Sequence, residues 1–390
     1  MDAMTSQTAS TGAAKLDYAG PGVPSPDVFA PDPRTPRRMH YGDAVRILGT
    51  WAVVINHVSD MYLGSDQIML TRTWWVLNFW DSAMRWAVPA YIMLSGALLL
   101  DPARTEPPTL FYKKRMARIG VPLVFWTAFF IWFSFHTLVP KGWITPDQIW
   151  RNLAEGKPYT HLHFIFRIAG LYAFTPMFRI FLRHSSRSMQ IATTVMCLLL
   201  SSGNSIVNGI YHTEPSVFMR FVPFIGFYLL GYLLRDTLIS KRQLGLCWVG
   251  FFAMVALLAG VTGLLIRRYG FAWYPSVPMM FYDFLSPIRI VMAIFAWLIF
   301  VNTFHQPWPK HEGTRKLVAY WASTTLGLYL VHPYFREVLF FHGYDALHPF
   351  GNSFQSVWLG IPIVSLMVYI PSLVVTMVIM RIPFVRRIAG

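Results

Sequence analysis

One stretch of the chain sets ionisable side chains into an otherwise apolar run: Asp43-Ala-Val-Arg46-Ile-Leu-Gly-Thr-Trp-Ala-Val-Val-Ile-Asn56-His57-Val-Ser-Asp60. Arg46 and His57 are eleven residues apart. On a helix that is three turns and about 20°, so both lie on one face, about 16 Å apart along the axis. Asp43 sits one turn before Arg46, and Asp60 one turn after His57. A charged side chain in the hydrocarbon core costs about 2.5–3.5 kcal/mol on insertion scales, so such groups usually mark a site. The chemistry on offer is a cation that holds an anion and, farther along the same face, an imidazole base with a carboxylate to orient it. A snorkelling arginine and a hydrogen-bonded bundle histidine would account for each residue singly, but not for their shared phase.

Further candidates follow. Ala90-Tyr91-Ile-Met-Leu-Ser95-Gly96 ends a helix with two small residues that permit close backbone approach, to a ligand or to a neighbouring helix. Phe111-Tyr-Lys113-Lys114-Arg115-Met-Ala-Arg118-Ile-Gly-Val-Pro122 carries four cations in six residues, with Arg115 and Arg118 on one face, which suits a multiply phosphorylated ligand. Asp81 and Arg85, at i and i+4, form a pair. His161 and His163 point about 200° apart on a helix, so they cannot chelate one metal, and no metal site is expected. In Leu328-Tyr329-Leu-Val-His332-Pro333 the proline frees backbone groups near His332, and Arg336 and Glu337 follow. Arg167, Arg220, Asp283 and Arg289 also fall within apolar runs and are expected to face an interior polar cavity.

These residues need elements to position them, and composition says which kind. Of 390 residues 55% are hydrophobic and 13% charged, about half the charge of a soluble domain. The expected fold is therefore an all-α polytopic membrane bundle. Ten apolar spans are read at 44–63, 80–100, 119–139, 161–182, 189–208, 217–235, 244–266, 280–303, 317–341 and 357–380. Residues 1–38 hold six prolines and no apolar core, so they read as a disordered cytoplasmic tail, with the membrane domain at 39–390. The loop 140–160 is the longest outer one, and Thr145-Pro146-Asp147 opens a short capped helix in it. The net charge of +15 could suggest nucleic acid. Instead, every flank on the N-terminal side carries at least three Lys or Arg. The charge is thus an orientation signal that puts both termini in the cytoplasm, and no nucleic-acid partner is expected. Cys197 and Cys247 lie in apolar runs and read as small core residues.

The order of these pieces resembles the acyltransferase-3 family of integral membrane acyltransferases. The matching segments are Asp43-x-x-Arg46 with His57, Ser95-Gly96, Arg115-x-x-Arg118-Ile-x-x-Pro122, His161-x-His163 and Leu328-Tyr329-Leu-Val-His332-Pro333. Two features depart from the usual pattern: Tyr91-Ile-Met-Leu before Ser-Gly, and His163 where Trp is common. The chain is most similar to stand-alone members, which lack the outer hydrolase-like domain of some relatives. The resemblance implies transfer of an acyl group from cytoplasmic acyl-CoA, acetyl-CoA first, to a hydroxyl of an exported or surface glycan. Exopolysaccharides such as cellulose and lipid-linked glycans are the acceptors to consider. The bacterial inner membrane is the expected location, and polysaccharide synthesis or export proteins are the candidate partners. No permanently bound cofactor is implied. Arg46, Asp43, Ser95, Arg115 and Arg118 are then the acyl-CoA residues, His57 and Asp60 the catalytic pair, and His161, His163, His332 and Arg85 the acceptor-side residues. Direct attack in a ternary complex is the first mechanism and a transient acyl-histidine the second. Two rival readings are a glycan or solute transporter and a non-catalytic subunit of a polysaccharide synthase.

Overall fold

The computed structural model describes residues 39–104, 106–343, 347 and 356–390. The tail read at 1–38 lies outside the described residues. Those described form helices and no strand: α1 (His40–Ser59), α2 (Arg72–Met84), α3 (Ala87–Leu99), α4 (Pro108–Arg115), α5 (Val121–Phe133), α6 (Pro146–Ala154), α7 (His163–His184), α8 (Arg187–Tyr211), α9 (Ile225–Leu233), α10 (Lys241–Tyr269), α11 (Pro287–Thr303), α12 (Glu312–Phe341) and α13 (Val357–Arg381). Short polar residues start several of them. Ser240 and Gln243 make a reciprocal capping box on α10, and Thr145 and Gln148 make one on α6. The capped helix expected after Thr145 is thus present.

Among the described residues, six helical stretches are long and apolar enough to cross a membrane: 108–138, 163–184, 187–211, 241–269, 280–303 and 357–381. The other four expected spans take forms with local causes. The run at 80–100 is broken at Arg85–Trp86 into α2 and α3. The run at 217–235 narrows to α9, preceded by a 3-10 turn at Val222–Phe224 that contains Pro223. Helices α1 and α12 have the length, but each sets charged and polar residues among its apolar ones, which lowers its hydropathy.

Helix α1 is central, packed on α2, α3, α12 and α13. It runs parallel to α12, with Arg46 near residues 322–329 and His57 near His332 and Arg336. The tightest crossing joins α3 to α9. A Cβ on Gly96 would sit 1.8 Å from the Tyr228 carbonyl oxygen, and one on Gly231 would sit 1.9 Å from that of Met93. Each helix thus lays a glycine on the other's backbone, so the Ser95-Gly96 step divides its work: Gly96 packs and Ser95 faces a cavity. Helices α4 and α5 are continuous through a π turn at Met116–Gly120, where the Val121 N–H reaches the Met116 carbonyl. Pro122 follows this turn, and the wide turn accommodates a ring that an α-helix would set against the carbonyl four residues back.

Candidate active site

Arg46, Ser95, Arg115 and Arg118 come from α1, α3, α4 and the π turn, and they line one cavity of about 140 Å³. Arg118 is exposed, and Arg115 and Arg46 are partly buried. Asp43 pairs with Arg46 at 2.9 Å. Arg115 and Arg118 have no carboxylate partner among the described residues, so the cavity carries excess positive charge. The Arg115 Nε is buried without an acceptor there. Behind the cations the wall is aromatic: Tyr91, Phe164, Tyr172 and Tyr329. Tyr91 packs on α1 at Gly49, where a Cβ would stand 3.1 Å from its ring, and its hydroxyl donates to the Arg46 carbonyl at 2.7 Å. Tyr172 donates to Ser95 Oγ at 3.3 Å.

Helix α12 leads away from this cavity. Thr325 and Tyr329 line it, His332 follows, and Arg336 and Glu337 line a second cavity of about 470 Å³. The positions 325, 329, 332 and 336 recur at helical spacing, so they form one stripe. Helix α1 makes the same journey from Arg46 to His57, which is why the two helices run parallel.

Three histidines meet between the cavities. The His57 and His332 ring centroids are 5.4 Å apart, and those of His332 and His161 are 5.6 Å apart. His332 Nδ1 is 2.7 Å from the Tyr329 carbonyl oxygen. That carbonyl lacks its usual helical donor because residue 333 is proline. A carbonyl only accepts, so Nδ1 carries the proton and the neutral ring presents its lone pair at Nε2. That Nε2 is buried and meets no partner among the described residues. Pro333 thereby sets the histidine's tautomer.

His57 Nδ1 lies 3.5 Å from Asp60 Oδ2, an electrostatic contact longer than a hydrogen bond. Arg336 ties this end together. It donates to the His57 carbonyl at 3.3 Å, pairs with Glu337 at 2.5 Å and lies 4.0 Å from Asp60. Tyr159 donates to Glu337 at 3.1 Å. The Tyr329 hydroxyl donates to the His161 carbonyl, pinning the segment before α7 against α12.

The family model described as an acyltransferase domain, of the acyltransferase-3 type, matches residues 39–380. The chain belongs to the acyltransferase-3 family. No curated protein and no solved structure matches it.

For this acyltransferase, the expected acyl-CoA residues converge, with Asp43 joining through Arg46. Of the expected acceptor-side residues, His161 and His332 stand between the cavities and His163 lines the larger one. Arg85 lines neither. It is held by Asp81 at 2.5 Å, by the Tyr282 carbonyl and over the Tyr282 ring, while Asp81 also accepts from Asn56. Of the intramembrane charges, Arg167, Arg220 and Asp283 line the larger cavity, whereas Arg289 is buried against the Tyr282 and Arg85 carbonyls. Tyr91, Tyr172 and the Arg336–Glu337 pair were not assigned from sequence. The polar stripe of α12 carries the signal that finds Arg336. No group of His, Cys, Asp or Glu among the described residues has metal-holding geometry.

Proposed function

We propose that this membrane acyltransferase moves an acyl group, acetyl first, from acyl-CoA to a hydroxyl of an exported or cell-surface glycan. The acceptor is an exopolysaccharide or a lipid-linked glycan, in the bacterial inner membrane. In this reading α1, the α2–α3 pair, α9 and α12 cross the bilayer beside the six more apolar stretches, and both termini are cytoplasmic. The observation that carries the reading is the convergence of Arg46, Arg115, Arg118 and Ser95 on one cavity whose Tyr329 wall abuts the histidine cluster. Guanidinium groups bind phosphate with charge-assisted hydrogen bonds. At about 140 Å³ the cavity takes the thioester end of the donor, and the nucleotide phosphates stay at its mouth by the exposed Arg118.

The acceptor hydroxyl enters from the larger cavity. His57, with Asp60 on its Nδ1 side, takes the hydroxyl proton as the oxygen adds to the thioester carbonyl. The carbon–sulfur bond then breaks, and the CoA thiolate leaves with the proton returned by the imidazole. His332, with its bare Nε2, lies beside this path and accepts a hydrogen bond from the hydroxyl or relays its proton.

The test is thermal unfolding of the purified protein in detergent, titrated with acetyl-CoA. A ligand that binds the native state raises apparent stability by RT ln(1 + [L]/Kd). A saturable rise that weakens in Arg115→Ala and Arg46→Ala supports the reading. No rise with any acyl-CoA, in folded protein, removes it.

A further inference from the structure

Among the described residues that line the larger cavity, one cation forms no ion pair. Arg167, on α7, is 6% exposed and lines that cavity. Its guanidinium carbon lies 4.5 Å from the ring centroids of both Phe224 and Phe284, so aromatic faces fix its position. Its Nε and Nη1 are buried and meet no acceptor among the described residues. The other cations there are matched. Lys157 pairs with Glu155 and Glu214, Arg220 with Glu214, and Arg336 with Glu337. Asp283 is the remaining carboxylate of the lining; it accepts from Ser205 at 2.5 Å and from the Leu285 N–H at 3.0 Å, and it acts on Arg167 through charge without an ion pair or hydrogen bond to it.

His163 stands one turn before Arg167 on the same face of α7. Its Nδ1 is 2.6 Å from the Thr160 carbonyl, so Nδ1 holds the proton. Its Nε2 is a buried acceptor with no partner among the described residues, and the residue lines the same cavity. A guanidinium with two bare N–H groups and a bare imidazole nitrogen, one helical turn apart, complement an anionic group and a hydroxyl on a single sugar ring.

We propose that Arg167 binds an anionic substituent of the acceptor, a carboxylate or a phosphate, while His163 accepts from a neighbouring hydroxyl. This rests on the larger cavity being the acceptor's. It narrows the acceptor to acidic glycans and away from neutral glucans such as cellulose.

The test is thermal unfolding of the full chain in detergent at constant ionic strength, titrated with tetragalacturonate, glucose 6-phosphate and maltotetraose. Acetyl-CoA is the control for the arginine cavity. The acidic sugars should bind on the order of tenfold tighter than maltotetraose, as a charge-assisted hydrogen bond in a buried site allows. Which acidic sugar binds tells carboxylate from phosphate. Arg167→Gln should abolish the preference while the acetyl-CoA response persists. If that variant does not fold, the wild-type preference and its weakening in His163→Phe decide. Equal binding of acidic and neutral sugars, binding of none, or a preference retained in Arg167→Gln overturns the inference and leaves the donor site standing. Loss of the acetyl-CoA response in the wild type overturns both.

Discussion

Replacing Gly96 by alanine tests whether the α3–α9 crossing sets the position of the donor cavity. The new Cβ would stand 1.8 Å from the Tyr228 carbonyl oxygen, a backbone atom that no rotamer change can move. Ordinary contact needs almost twice that distance, so the helices would have to part by more than an ångström. Overpacking of this kind costs about 1–3 kcal/mol or more. Alanine recovers about 1 kcal/mol of helix propensity, so with an overlap this deep the net loss should reach the upper end of the difference, about 1–2 kcal/mol. Gly260, on α10, is the control, because a Cβ there meets nothing within 4 Å. Gly260→Ala should stabilise by about 0.5–1 kcal/mol. The same substitution thus has opposite signs at two helical glycines. Thermal and denaturant unfolding in one detergent read the difference. Since α3 also carries Tyr91 and Ser95, Gly96→Ala should weaken acetyl-CoA binding and Gly260→Ala should not. Equal tolerance at the two positions would refute the packing argument.

Three other perturbations have defined outcomes. Arg336→Lys keeps the charge but cannot span the His57 carbonyl, Asp60 and Glu337 together, so acyl transfer should fall about tenfold or more in kcat with acetyl-CoA affinity unchanged. Pro333→Ala returns an N–H that competes with His332 for the Tyr329 carbonyl, so the protein should gain stability while transfer slows; a rise in both Tm and kcat would contradict this. The Lys114 ammonium, 2.5 Å from Glu106, holds that carboxyl below its ordinary range. A lowered pKa in the folded state contributes stability above the ordinary carboxylate pKa and loses it as pH falls. Glu106→Gln should therefore lower Tm slightly at pH 7 and not at pH 3, and the same deficit at both would exclude the ion pair as the cause.

The sequence made the site more legible than the architecture. A separation of eleven positions from Arg46 to His57 determines a shared helical face whatever surrounds the helix, and Pro333 dictates a free carbonyl at residue 329 from covalent structure alone. Both read through. Arg115, Arg118 and Ser95 were recognisable as cations and a small residue, but their meeting depends on the π turn before Pro122 and on two interlocked glycines. Span counting was weaker for a physical reason. Helices α1 and α12 hold Arg46, His57, His332 and Arg336, and these polar side chains lower the hydropathy by which a span is recognised. Arg85 misled because an i, i+4 pair with Asp81 has the same spacing whether it serves a substrate or closes a helix junction. Arg336 is far from His57 in sequence, so its role needed the parallel course of α1 and α12.

The most direct measurement follows radiolabel from acetyl-CoA into base-labile esters of the membrane and surface glycan fraction, in membranes holding wild-type protein or His57→Gln. The account predicts label in the glycan with the wild type. It predicts none with His57→Gln, in a variant that still shows the acetyl-CoA-dependent rise in thermal stability. Undiminished ester formation by His57→Gln would contradict it.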